Sequence, residues 1–147
     1  RFDARSRSYE YRVLHRRERS ALERGRSLWW PHGLDHDLLR ACAELLPGAH
    51  DFTAFTPTQT LHRRVRRTVL RAGWDVAGDV LTFRIEAATF MHRMNRVLVG
   101  TMLEVAQHRR SPEDFERLLG GAERCEAGPT APPHGLYLAG VRYDEAA

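Results

Sequence analysis

The chain runs to 147 residues, 42% hydrophobic and 29% charged, the balance of one soluble globular domain with room for a real core. Its two cysteines, Cys42 and Cys125, lie far apart in no metal-ligand spacing, which argues against a disulfide framework or a zinc site and fits a reducing, cytoplasmic setting. All 23 basic residues are arginine and the formal charge is +4, enough to permit a nucleic-acid partner but not to require one, and no apolar run approaches the roughly 20 residues that cross a bilayer.

The first residues, RFDARSRSYEY, have neither an initiator Met nor the apolar middle of a signal peptide, so the chain is expected to open inside a longer polypeptide. Residues 7–14 alternate, with Tyr9, Tyr11 and Val13 on one face and Ser8, Glu10 and Arg12 on the other, which predicts a half-buried strand. A charged, irregular stretch follows, then the Trp29, Trp30, Pro31 cluster, read as a loop packed over the core. Asp35 is placed to cap a helix running to about Leu46, with Leu38, Leu39, Cys42, Leu45 and Leu46 at helical spacing and Pro47-Gly48 as its stop. HDFTAFTPTQT reads as a loop or a single helical turn. Residues 63–74 are β-branched and Arg-rich and predict a strand with an exposed basic side. A turn at Ala77-Gly78 then leads into a second strand over 80–88, and the two should form an antiparallel hairpin.

Residues 88–109, ATFMHRMNRVLVGTMLEVAQHR, hold no Pro and one Gly and predict the main helix. Phe90, Met94, Leu98, Thr101, Met102 and Val105 share a core face. His92, Val99, Leu103 and Ala106 make a second apolar stripe, and Arg93, Gly100, Glu104 and Gln107 a narrow polar sector. A helix apolar on two sides has to be covered on two sides. Arg96 sits where the second stripe meets the polar sector, and burying a guanidinium is costly unless a carboxylate answers it. Glu86 is the local candidate. Further on, Ser111 and Pro112 open a short helix with Glu113 and Asp114 in its first turn, ending near Gly120-Gly121. Residues 122–134, with three prolines, form an extended connection, and 135–143 a last strand. The sum is an α+β fold, a mostly antiparallel sheet of about four strands with helices packed on one face.

No Gly-rich phosphate loop, HExxH or CxxC motif is present, and the isolated Ser and Cys residues have no evident base, so nothing points to a self-contained active site, a metal or a cofactor. What the residues offer is an incomplete site. Tyr9 is an inward aromatic on a strand, Arg96 a cation on a doubly apolar helix, and His92 lies beside Arg96. Arg63, Arg64, Arg66 and Arg67 form a cationic ribbon. Each has an ordinary structural explanation: a core tyrosine, a locally paired arginine, a structural histidine, a solvated strand face. Together they could hold a flipped base over an aromatic ring, in a site whose acid comes from elsewhere.

Five segments carry a family resemblance: RSYEYRV at 7–13, HDFTAF at 50–55, RRTV at 66–69, FMHRMNRVLVGTMLEV at 90–105 and APPHGLYLAGV at 131–141. In this order and spacing the chain, from Arg1 to about Tyr143, resembles the C-terminal half of a bacterial tRNA pseudouridine synthase of the A family. The resemblance implies a pseudouridine synthase fold and a cofactor-free isomerase that detaches uracil from its ribose in the tRNA anticodon stem-loop and rejoins it through carbon. It also implies a homodimer that shares its tRNA groove between subunits. The family's active-site tyrosine falls on Tyr9, the basic residue two before it on Arg7, and the arginine that pairs with the catalytic aspartate on Arg96. His92 and Arg93 are further candidates for RNA contact.

The family's aspartate belongs to an N-terminal half, in a motif reading like GRTDAGVHA, and this chain contains no such motif. Residues 1–147 are therefore expected to be a C-terminal domain that alone neither isomerises uridine nor binds tRNA tightly. Asn95 stands where the family usually has an apolar residue, and Ser8 where it often has a basic one. Two other readings compete: a non-catalytic RNA-binding module, and a protein-interaction domain whose second apolar helix stripe docks a partner.

Overall fold

Strands and helices follow one another as β1 (Ala4–His15), β2 (Leu28–Trp30), α1 (His36–Glu44), β3 (Gly48–Asp51), β4 (Arg66–Ala77), β5 (Val80–Ala87), α2 (Met94–Ala106), α3 (Pro112–Leu118) and β6 (Leu136–Tyr143), in a computed structural model that describes residues 4–57 and 65–143. Arg63 and Arg64 lie outside the described residues. The sheet has the order β2-β1-β5-β4-β3. Antiparallel pairing runs unbroken from Arg7 opposite Ala87 to Leu14 opposite Val80, and β4 and β5 form the expected hairpin. Two strands share the remaining edge of β1: β6 lies antiparallel along its first part, and β2 lies parallel along Val13–His15.

Six strands replace the four expected. The two additions are the shortest, three residues in β2 and four in β3, too brief for alternation to show. The Trp29-Trp30 pair expected in a loop is thus strand, held by its register against Leu14 and His15.

Strand alternation sends Tyr11, Val13, Leu81, Phe83 and Ile85 to one face, where they join Leu39, Cys42, Leu46, Val97, Leu98, Met102 and Phe115 in a single core. The opposite face is an array of charges. Asp35 caps α1 by accepting from the backbone N–H groups of Asp37 and Leu38, and Ser111 caps α3 by accepting from that of Asp114.

α2 is shorter than expected. It begins at Met94 because Arg93 adopts a left-handed conformation (φ 60°), so residues 88–93 form the bend from β5 rather than a first helical turn. His92 is therefore exposed in that bend, not part of a helical stripe. The rest of the second stripe is covered, with Val99, Leu103 and Ala106 at 0%, 3% and 1% exposure. That removes the docking face on which the protein-interaction reading stood. Gly100, expected in a polar sector, is buried too. A Cβ there would collide with the Pro129 carbonyl, so glycine lets the 128–131 strap lie directly on the helix.

Candidate active site and nucleic-acid interface

The bend at residues 90–93 gathers the side chains. Strand alternation turns Arg7, Tyr9 and Tyr11 to the helix side of β1. The Tyr9 ring meets Phe90 edge to face, centroids 5.0 Å apart at 85°. On β4, Arg67 turns inward and its Nη2 lies 2.9 Å from the Met91 sulfur, whereas its neighbour Arg66 is exposed. Arg93 is also exposed. Arg96 follows in the first turn of α2.

Arg96 is half-buried, and its Nε donates to the Ala131 carbonyl at 2.7 Å. Among the described residues no carboxylate pairs with it. Tyr11, fully buried, donates its hydroxyl to the Pro132 carbonyl at 2.6 Å. Burial pushes the Tyr11 phenol well above its ordinary value, and the nearby positive charge of Arg96 offsets part of that shift. Tyr11 and Arg96 therefore lie close together, with Tyr9 one step along the same strand face.

Glu86, the expected local partner for Arg96, is engaged elsewhere. It projects from the face away from the helices, 4% exposed, where it accepts from Ser6 Oγ at 2.7 Å and pairs with Arg71 at 2.6 Å and Arg142 at 3.3 Å. The Ser6 hydroxyl and the Arg71 guanidinium hold its carboxyl below the usual range. On the same face Arg84 pairs with Glu10 at 2.9 Å and with Asp75. The sheet is thus asymmetric in charge. On the outer face Arg71, Arg84 and Arg142 are answered by carboxylates and only the exposed Arg66 at the start of β4 has no ion pair among the described residues, while around the bend Arg7, Arg67, Arg93 and Arg96 all have none among them. Unpaired guanidiniums around a half-buried aromatic suit an anionic, planar ligand.

Sequence reasoning missed three members of this site. Tyr11 was placed on the same strand face as Tyr9 but given no part in the site. Phe90 was placed on a helix, although it lies in the bend against Tyr9. The Ala131-Pro132 carbonyls, which hold Arg96 and Tyr11, belong to a stretch read as a plain connection. Their signal was the APPHG run itself, since prolines fix a strap whose carbonyls can face inward. The departure at Asn95 has a structural cost: the residue is 5% exposed and its Oδ1 has no hydrogen-bond partner among the described residues. Among those residues no group of three or more His, Cys, Asp or Glu is placed to hold a metal ion, and no helix is long and apolar enough to cross a membrane.

The family model described as tRNA pseudouridine synthase matches residues 42–144. Proteins named tRNA pseudouridine synthase A are similar to nearly the whole chain. The one from Geobacillus kaustophilus is 39% identical over 99% of this chain and 56% of its own length. That of Mesorhizobium japonicum is 38% identical over 97% and 58%, and that of Caulobacter vibrioides 39% over 99% and 59%. The chain spans little more than half the length of these relatives. With a family model covering well over half its residues, the chain belongs to the tRNA pseudouridine synthase family.

Proposed function

We propose that this chain is the C-terminal part of a tRNA pseudouridine synthase, supplying one wall of the uridine site and part of the RNA-binding surface. The reaction converts uridine to pseudouridine in the anticodon stem-loop. The N1–C1′ bond breaks, a C5–C1′ bond forms, the proton leaving C5 is balanced by one gained at N1, and no electrons are exchanged. Such an isomerisation needs a positioned base and a carboxylate, not a redox or metal cofactor.

In this reading the Tyr9 ring lies against the flipped uracil. Arg96 holds ionised the aspartate that another part of the protein brings, because a guanidinium within a few ångströms favours the charged carboxylate. Arg7, Arg66, Arg67, His92 and Arg93 face the RNA backbone, and Arg63 and Arg64 belong to the same proposal. A homodimer completes the tRNA groove. The observation that carries the proposal is the half-buried Arg96, fixed through Nε, beside Tyr11 and with no carboxylate among the described residues.

The test is pseudouridine formation on tRNA by three proteins. The 147-residue chain alone should form none, the polypeptide that includes a GRTDAGVHA-type segment should form it, and Arg96→Ala in that polypeptide should abolish it. Turnover by the isolated chain overturns the half-site. Failure of the longer polypeptide favours a non-catalytic RNA-binding module.

A further inference from the structure

The strap whose carbonyls hold Arg96 and Tyr11 is itself fixed a few residues upstream, at Gly128. Both backbone polar groups of Gly128 are engaged: its N–H donates to the Thr101 hydroxyl at 2.9 Å, and its carbonyl accepts from Arg124 Nη1 at 2.8 Å. The other arm of the same guanidinium, Nη2, donates to Thr130 Oγ1 at 3.2 Å. One residue further on comes Ala131, which holds the Arg96 Nε.

Each of the three residues is chosen for this contact. Thr101 lies in the middle of α2 at 0% exposure, where a hydroxyl is costly unless it is bonded. Its Oγ1 donates to the Val97 carbonyl one turn earlier at 2.8 Å, which leaves its lone pairs for the strap. Arg124 is half-buried, and among the described residues no carboxylate pairs with it, so burial lowers its pKa below the ordinary arginine value. An arginine kept for its charge would meet a carboxylate; this one spends its planar fork on Gly128 and Thr130, a span that a single ammonium does not reproduce. Gly128 has no room for a side chain, because a Cβ there would stand 2.9 Å from the Thr101 Cα and 2.6 Å from the Glu104 carboxylate.

We propose that Thr101 and Arg124 are positioning residues for the uridine site: they set Gly128, and through it the Ala131 and Pro132 carbonyls that aim Arg96 and hold Tyr11. The inference rests on the role proposed above for Arg96 and deepens it. Little can absorb a displacement between Gly128 and Ala131. Pro129 has a fixed φ, Thr130 is tied to Arg124, and Ala131 is restricted by the proline that follows it. A shift at Gly128 is therefore passed on to the Arg96 guanidinium, and a misplacement of about 1 Å in a reacting site can cost roughly a hundredfold in rate. Thr101 is enclosed and cannot reach RNA, so its effect belongs to kcat rather than to KM.

The test has two arms. In the 147-residue chain the Arg96 Nε–H resonance, assigned through Arg96→Lys, reports the bond to Ala131 directly. Thr101→Val removes the hydroxyl at nearly constant shape, and Arg124→Ala removes the fork. Both should move that resonance toward the position of a free arginine and speed its exchange with solvent roughly tenfold, the scale of one lost hydrogen bond. Thr101→Ser keeps both bonds and should leave it in place. So should Asp35→Ala, which removes the α1 cap and lowers stability at the other end of α2. In the longer polypeptide, Thr101→Val and Arg124→Ala should lower kcat for pseudouridine formation by roughly ten- to a hundredfold with KM for tRNA within about threefold, and Thr101→Ser should match the parent. A resonance unmoved in Thr101→Val and Arg124→Ala, or moved as far in Asp35→Ala or Thr101→Ser, overturns the inference, as does a parent-like kcat in a variant whose resonance has moved. Should Thr101→Val fail to fold, Arg124→Ala decides the question alone. If the longer parent polypeptide forms no pseudouridine, the synthase reading fails, while the resonances still decide whether Thr101 and Arg124 set the strap.

Discussion

Arg96 and Ala131 hold each other twice: the Arg96 Nε donates to the Ala131 carbonyl at 2.7 Å, and the Ala131 N–H donates to the Arg96 carbonyl at 3.0 Å. The first contact fixes the direction of the guanidinium, and the second ties the proline-rich strap to the head of α2. The next residue, Pro132, accepts from Tyr11, so one short segment sets both the cation and the floor beneath Tyr9. The geometry explains why these residues need one another although they lie far apart in sequence.

Arg96→Lys should therefore behave more like Arg96→Ala than charge alone suggests. Lysine keeps the positive charge but has no Nε–H at that point of the side chain, and its ammonium presents no planar fork to a carboxylate. In the longer polypeptide both variants should lose pseudouridine formation by on the order of a hundredfold or more, the scale for deleting one preorganised electrostatic contact. Single-turnover rates on tRNA check this. A lysine variant within a few-fold of the parent would show that charge, not orientation, is what matters.

Gly100→Ala should destabilise the fold although it adds one methyl group to a helix that otherwise favours alanine. The new Cβ would fall on the Pro129 carbonyl, a backbone atom that can move only by displacing the strap. Overpacking of this kind costs about 2 kcal/mol or more, a fall in Tm of roughly 5 °C or more for a domain of this size. Thermal unfolding followed by circular dichroism reads the shift. Because the strap positions Ala131 and Pro132, activity in the longer polypeptide should fall further than the stability loss alone explains.

Much of this is legible in the amino-acid sequence. The face of β1 bearing Tyr9 and Tyr11, the β4-β5 hairpin, and the Asp35 and Ser111 caps follow from periodicity and end chemistry, which act over a few residues. What was not legible depends on distant partners. The start of α2 is set by the left-handed Arg93, whose bend delivers Phe90 to Tyr9 and Met91 to Arg67. Gly100 looked polar by position and is buried because a strap 29 residues away covers it. The freedom of Arg96 from Glu86 depended on which sheet face Glu86 takes, and strand register decides that.

Asn95→Val should stabilise the protein. The wild-type side chain is buried with Oδ1 unpartnered among the described residues, and such a group costs about 1–3 kcal/mol relative to a satisfied or apolar one. Valine is smaller and leaves a little space, so a net rise in Tm of a few degrees is the expected result. Thermal unfolding at neutral pH measures it. A fall in stability would show that the Asn95 amide makes a contact valine cannot replace.

Glu86 makes the stability of the sheet depend on pH in a definite direction. Its folded-state pKa lies below the ordinary 4.5, first because Ser6 donates to the carboxylate and then because Arg71 and Arg142 surround it. A lowered pKa means that the native state favours the ionised form more than the unfolded chain does. The stabilisation is therefore complete above about pH 4.5 and is lost as pH falls through the folded-state value. Glu86→Gln keeps an acceptor for Ser6 and removes the charge that Arg71 and Arg142 answer. The Tm gap between the two proteins should be open at neutral pH and should close on acidification below 4.5. Every other carboxylate is common to the two proteins, so the difference between the two curves isolates Glu86. A gap that persists to about pH 3, well into carboxylate protonation, would show that Glu86 acts by shape and hydrogen bonding rather than by its charge.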